Sequence, residues 1–173
     1  MLDPFGPAPK PLAALVQPIA TKLNLLTLPL HIHEVLFFAF FYQAILAFGA
    51  PAISNYFVPK QYASFNKRTR LNWNIHIVSM TQCAFVNTGA LYVVFFDKER
   101  WSMDWEQRLW GYSGSLGLLQ AMALGYFLWD LYVCARYVNW LGVGMLAHAV
   151  SAVTVFSLGF VSRDVVFLDL NNG

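Results

Sequence analysis

Four long apolar runs constrain this chain more than any other feature of its sequence. Each run reaches or approaches the ~20 residues that an α-helix needs to cross the hydrocarbon core of a bilayer. The runs are approximately Val35–Ser54, Leu71–Phe96, Tyr112–Tyr137 and Trp140–Val161. They contain almost no charge, whereas the helices of a soluble bundle would alternate apolar and charged faces. The sequence therefore predicts an all-α, integral membrane helical bundle with about four transmembrane helices.

The composition favours a membrane protein over a soluble one. Hydrophobic residues make up 58% of the 173 residues and charged residues only 12%, whereas a soluble domain is usually about a quarter charged. The formal net charge of +2 is too small to predict a nucleic-acid partner. Cys83 and Cys134 both fall inside predicted spans, which argues against a disulfide framework.

Residues 1–30 form a separate N-terminal region, in which a proline-rich lead-in precedes an apolar helix face. That face is formed by Leu12, Leu15, Val16, Ile19, Leu23, Leu26 and Leu30. Because Pro18 and Pro29 must start, kink or end a helix here, the segment is too interrupted to span. We expect an interfacial helix, with a disordered arm as the alternative. No signal-peptide pattern precedes the first span, which should act as an uncleaved anchor.

Polar side chains interrupt the second predicted span. At about 100° per residue they form two rows, one of Asn72, His76, Ser79, Cys83 and Asn87 and a weaker one of Asn74, Thr81 and Thr88. A helix in lipid turns such faces towards other helices or a wet cavity, so the two rows predict that this helix is central to the bundle. Interhelical hydrogen bonds explain the Asn, Ser and Thr residues. For His76, a site and a packing contact are equally good interpretations.

The third predicted span carries small residues at a strict four-residue spacing. They are Ser113, Gly117, Ala121 and Gly125. Small side chains at this spacing let two helix backbones approach closely. We expect tight packing against a neighbour, and a homo- or hetero-oligomer formed through this face is one such arrangement.

Three ionisable residues from different spans should lie at one membrane depth. Alternating crossings bring the loops before the second span and after the third to the same side, and His76, Asp130 and His148 lie near those loops. We expect them to line a polar pocket open to one leaflet, with Ser79 and Ser151 nearby. An Asp can orient a His, which can then act as a general base. The alternative is an Asp–His pair, or a contact with Arg136, that only neutralises buried charge.

No other motif carries comparable chemistry. The segment from His31 to Glu34 holds two histidines and an acid, but histidines two residues apart do not share a helix face. Snorkelling of these side chains at the membrane surface is therefore favoured over a metal site. There is no phosphate-binding loop, zinc-spaced Cys pair or nucleophile elbow, so neither a metal ion nor a cofactor is predicted.

The sequence resembles the TLC domain family, in particular its fungal members. A basic loop followed by Leu-Asn-Trp-Asn-Ile-His-Ile-Val-Ser-Met-Thr-Gln (residues 71–82) is similar to the opening signature of the family. Gly-Tyr-Phe-Leu-Trp-Asp (125–130) resembles a later span with an intramembrane Asp. Ala-His-Ala-Val-Ser (147–151) resembles the region where ceramide synthases carry two adjacent histidines.

The resemblance covers about residues 28–161 and implies a partial TLC-like transmembrane domain at 31–161, followed by a short tail at 162–173. Membership implies a multi-span protein, usually of the endoplasmic reticulum, with membrane lipids as partners and a role in lipid synthesis, transport or sensing. Because the family continues with further spans, we expect the tail to be a truncated or alternatively spliced end.

Two departures from the family pattern favour binding over catalysis. Many animal members carry Arg and His where this chain has His76 and Gln82, and the adjacent histidine pair is reduced here to Ala147 and His148. Ceramide synthases depend on that pair for acyl transfer, so their activity is not carried over. The prediction is lipid binding, transport or homeostasis, with a lipid site formed by His76, Ser79, Asp130, His148 and Ser151.

The main alternative is an acyl-CoA-dependent lipid acyltransferase, with His148 as base and Asp130 orienting it. Two weaker alternatives are a small transporter or channel, and a structural bundle subunit. A transporter is disfavoured because no span shows a repeated ladder of ionisable residues.

Overall fold

The computed structural model describes residues 5–110 and 112–161, and over these ranges the backbone forms helices and no strand. The α-helices are α1 (Lys10–Lys22), α2 (Leu28–Ala44), α3 (Ala50–Phe57), α4 (Pro59–Ser64), α5 (Lys67–Phe96), α6 (Lys98–Ser102), α7 (Trp105–Trp110), α8 (Gly114–Arg136), α9 (Val138–Leu141) and α10 (Val143–Ser157). A π-helical segment, Ile45–Gly49, joins α2 to α3, and a 3-10 turn, Leu158–Phe160, follows α10.

Within the described ranges, four helices are long and apolar enough to cross a membrane. They are Leu28–Phe57, Lys67–Phe96, Gly114–Arg136 and Val143–Phe160. Each of them overlaps one of the four predicted runs. The predicted all-α membrane bundle is confirmed, and the chain is an integral membrane protein.

The N-terminal helix is shorter than its apolar pattern predicted. α1 ends at Lys22, and Asn24 adopts a positive φ of 58°, a left-handed conformation that Asn tolerates better than most residues. Pro29 then lies in the first turn of α2, where a missing N–H costs nothing. The prediction of one helical face reaching Leu30 is therefore wrong, because Leu30 belongs to the first span. The interfacial position of α1 stays a prediction.

The first span also begins earlier than predicted, because His31 and Glu34 are buried in α2. His31 Nδ1 lies 2.9 Å from Glu34 Oε2, and His31 Nε2 lies 2.7 Å from the Tyr112 hydroxyl. Hydrogen bonding of this kind is what allows polar groups to be buried. The interpretation of these residues as snorkelling side chains is wrong.

The second span begins inside the segment that was predicted to be a basic loop. Asn66 caps α5, its side chain accepting a hydrogen bond of 2.9 Å from the Thr69 N–H, as Asn commonly does at helix starts. The basic residues Lys67, Arg68 and Arg70 consequently lie in the first turn of α5. Their charges therefore have fixed directions around the helix axis.

α8, rather than α5, is the central helix of the described bundle. α8 packs against α2, α10 and α5, and its buried residues contribute to both apolar core clusters. The prediction that the second span is central is wrong, because a polar helix face can line an open cavity as well as a helix–helix contact.

The small-residue face of α8 packs against α2 of the same chain. A Cβ at Gly117 would collide with the His31 ring, and one at Gly125 would lie 2.7 Å from the Val35 carbonyl oxygen and 2.8 Å from Phe38 Cβ. The two backbones are thus as close as small residues allow. Since α2 covers this face, an oligomer would need another surface, and oligomer formation stays untested.

Asp97 joins the end of α5 to the start of α8. Its carboxylate accepts hydrogen bonds from the Glu99 and Arg100 N–H groups at 3.1 and 3.4 Å and from the Ser115 hydroxyl. Burial alone would raise the pKa of this carboxyl, but the hydrogen bonds from Ser115 and the backbone outweigh burial and lower the pKa below its usual value. The charged form of Asp97 is therefore part of the folded state.

Gly125→Ala should destabilise the bundle by about 1–3 kcal/mol, because the added methyl group meets the backbone of α2. Gly144→Ala is the matched control, since a Cβ at Gly144 meets nothing within 4 Å and alanine is the better helix former. Thermal unfolding of both variants in detergent micelles checks the contact. Equal melting temperatures for the two variants would contradict it.

Asp97→Asn should lower the free energy of unfolding by about 1 kcal/mol near neutral pH, since it removes a charge-assisted hydrogen-bond acceptor. Because the pKa of Asp97 is lowered in the folded state, its contribution is present above the unfolded pKa of about 3.9. It is lost as pH falls through the folded value. Unfolding of wild type and variant is measured from pH 7 to pH 2, and the difference in unfolding free energy between them should close only below about pH 4. A gap independent of pH would exclude this role.

Candidate functional site

A cavity of about 470 Å³ lies between α5, α8 and α10, at the end of the bundle where α9 connects α8 to α10. It is lined by both polar and apolar side chains from these helices. The cavity lies between helices that the sequence predicted as spans, so the predicted site residues can be compared with its lining. Each predicted residue has a defined position relative to it.

α5 contributes Arg68, Asn72, His76 and Ser79 to the cavity wall. They recur at steps of four, four and three residues, so they share one helix face. The polar row predicted on the second span is therefore only partly in the cavity, because its last two residues do not line it. There Asn87 and Cys83 are exposed, and the Asn87 amide donates a hydrogen bond of 3.1 Å to the Cys83 sulfur.

α8 contributes Asp130, Cys134 and Tyr126. Asp130 is only 7% exposed, and the Cys134 thiol donates to Asp130 Oδ1 at 3.7 Å. The Tyr126 hydroxyl lies 2.9 Å from Ser79 Oγ, so a hydrogen bond between α5 and α8 closes the inner end of the cavity. A buried Asp within a span is expensive and marks a functional site by default.

α10 contributes His148, together with Met145. His148 is exposed and lines the same cavity as Asp130. Ser151 is not among the lining residues, and its hydroxyl donates to the Ala147 carbonyl of its own helix at 2.9 Å. The structure thus brings His76, Ser79, Asp130 and His148 to one cavity and leaves Ser151 outside it. Lipid binding at these residues stays a prediction.

Charge neutralisation by Arg136 does not explain Asp130. The Arg136 guanidinium lies over the Tyr137 ring, 5.4 Å from its centre, and Arg136 does not line the cavity. In the ranges that the structure describes, no group of three or more His, Cys, Asp or Glu side chains is placed to hold a metal ion.

The cavity has a basic mouth and a neutral inner end. From Arg68 to Ser79 the axis of α5 advances about 16 Å, which is a little over half the hydrocarbon thickness of a bilayer. Arg68, His76 and His148 are exposed whereas Asp130 is buried. Since these exposed lining residues lie on α5 and α10 whereas Asp130 on α8 is buried, the cavity opens between α5 and α10.

Sequence reasoning missed Tyr126, Cys134 and Arg68 as lining residues. Tyr126 lies within the Gly125–Asp130 segment, and a tyrosine hydroxyl so far from a span end needs a partner; that signal was present. Arg68 was assigned to a loop, and its direction became definable only once Asn66 set the start of α5.

Comparison with known proteins finds a matching family and several relatives. The family model described as TLC domain matches residues 72–168. A TLC domain-containing protein of Schizosaccharomyces pombe, named as uncharacterized, is 35% identical over 92% of this chain and 52% of its own length. Topoisomerase I damage affected protein 4 of Saccharomyces cerevisiae is 28% identical over 74% of this chain and 44% of its own.

A third relative, TLC domain-containing protein 4 C of Dictyostelium discoideum, is 23% identical over 72% of this chain and 45% of its own length. The chain therefore spans about half the length of the curated relatives it matches. No solved structure matches the chain.

A cysteine at Ser79 should react with a small charged methanethiosulfonate reagent roughly tenfold faster than one at Thr81, because the reactive thiolate forms only where water is present. Ser79 lines the cavity, whereas Thr81 lies on the other side of α5, where its hydroxyl donates to the Ile77 carbonyl at 2.9 Å. The two positions are two residues apart, which is about 3 Å along the helix axis. Labelling in native membranes, with Cys83 and Cys134 replaced by serine, measures the ratio. Equal rates would mean that the cavity is not wet.

Proposed function

This chain belongs to the TLC domain family, and from that premise we propose that it binds a membrane lipid in the cavity between α5, α8 and α10. Its role is lipid transport or homeostasis in the endoplasmic reticulum, and it acts by binding rather than by catalysis. His76, Ser79, Asp130 and His148 form the polar part of the site.

One observation carries this proposal: a buried Asp and two histidines line a cavity that lies inside membrane-spanning helices. The volume of about 470 Å³ falls in the range of sites that hold small molecules. It suits a lipid headgroup and the first part of its chain. Because the cavity opens between α5 and α10, the rest of an acyl chain can remain in the bilayer.

The polar contacts of Asp130 favour binding over acyl transfer. A His that acts as general base is normally held by a hydrogen bond that its ring N–H donates to an orienting carboxylate. In the described part of the chain, Asp130 accepts its hydrogen bond from Cys134 instead. His148 therefore lacks the fixed orientation that the acyltransferase alternative requires.

Lipid retention tests the proposal. Asp130→Asn combined with His148→Gln should lower severalfold the amount of lipid that co-purifies in mild detergent. The double variant removes the carboxylate of Asp130 and the imidazole ring of His148 from the cavity and leaves only the ring of His76. Ser151→Ala is the matched control, because this hydroxyl lies outside the cavity on the same helix. Native mass spectrometry measures the retained lipid. Equal retention by the double variant and wild type would reject the site.

The acyltransferase alternative has its own test. Purified protein incubated with acyl-CoA and long-chain amines should give no product. Product formation that is abolished by His148→Ala would replace the binding proposal with an enzymatic one.

A further inference from the structure

Resting on the proposed function, we infer that the cavity selects a lipid phosphomonoester with a free hydroxyl group close to its phosphate. The phosphate lies at the mouth beside Arg68, the hydroxyl donates to Asp130, and the alkyl chain leaves between α5 and α10. Lysophosphatidate is the simplest lipid with this order of groups.

The mouth is built to receive an anion. Arg68, Thr69 and Asn72 line it, and together they offer guanidinium, hydroxyl and amide donors. In the described residues Arg68 has no acidic partner, and the segment 55–70 contains no Asp or Glu. A guanidinium binds phosphate in a bidentate manner, so Arg68 is the principal anion-binding group.

Arg70 differs from Arg68 although it lies in the same turn of α5. Arg70 donates to the Tyr62 carbonyl at 3.3 Å, and its guanidinium lies 5.0 Å from the centre of the Tyr62 ring. It does not line the cavity. Comparing variants of the two arginines therefore distinguishes a specific contact at the mouth from the general positive charge near the start of α5.

Deeper in the cavity the lining favours a hydrogen-bond donor over an anion. Asp130 is an acceptor, and it repels a phosphate that moves inward. A hydroxyl group can donate to Asp130 while it accepts from His76 or His148, because imidazole can donate or accept. Arg68 and His76 are separated by about 12 Å along α5, so the phosphate and the hydroxyl group contact different levels of the cavity wall.

The apolar lining completes the order of groups. Ile75, Phe127 and Met145 lie along the walls and suit an alkyl chain. A lipid whose phosphate contacts Arg68 and whose hydroxyl contacts Asp130 can place its alkyl chain against these apolar walls. A choline phosphodiester does not match, because it would place a second cation beside Arg68.

Three lipids with the same acyl chain test this inference: lysophosphatidate, lysophosphatidylcholine and monoacylglycerol. Binding is measured by native mass spectrometry on protein in neutral nanodiscs. Wild type should bind lysophosphatidate roughly tenfold more tightly than either of the others, the scale of one charge-assisted contact. Arg68→Gln should abolish this preference, whereas Arg70→Gln should retain it. Gel filtration of both variants confirms that they are folded.

The outcomes separate this inference from the proposed function. If all three lipids bind wild type equally and Asp130→Asn weakens all of them, the binding site stands and the phosphate preference is overturned. If no lipid binds above the level of empty nanodiscs, both proposals fall. Equal effects of Arg68→Gln and Arg70→Gln would assign the preference to surface charge and also overturn the inference.

Discussion

The close contact between α2 and α8 is the interaction on which the rest of this structure depends. In a bilayer, apolar helices gain little by leaving lipid for each other, so tight packing must come from shape. Gly117 and Gly125 provide that shape, since the His31 ring and the Val35 backbone occupy the space where their side chains would be. This contact fixes the rotation of α8 about its axis.

The rotation of α8 in turn creates the cavity. With its small-residue face against α2, α8 must turn Tyr126, Asp130 and Cys134 towards α5 and α10. The hydrogen bond between Tyr126 and Ser79 then sets how α5 meets α8. A feature that looks purely structural in the sequence therefore decides where the ionisable residues lie.

The sequence allowed the position of a residue along its helix to be predicted, but not the rotation of that helix about its axis. The length and alternation of the spans were enough to place His76, Asp130 and His148 near one end of the bundle, because depth follows from counting residues along a helix. Rotation depends on which residues of a neighbour are contacted. Ser151 was misplaced for this reason, since Ala149 and Ala152 are the buried residues that orient α10.

Hydrogen bonds between residues far apart in the sequence could not be predicted from local sequence patterns. Tyr112 is distant in sequence from the His31 with which it hydrogen-bonds. Nothing near His31 indicates that partner, so membrane-surface exposure was the natural interpretation. The burial of His31 and Glu34 became intelligible only with the start of α8 packed beside α2.

The two polar regions of the bundle differ in whether other protein groups fill the space around their polar side chains. The one around His31 and Glu34 is closed by protein groups and holds α2 against α8. In the cavity, the chain supplies donors at the mouth and a buried acceptor inside, and leaves space between them. Within a bilayer such groups need partners from water or a ligand. The cavity is lined by polar and apolar side chains of three helices, and its unfilled space beside a buried Asp supports the proposed binding role more than a packing role.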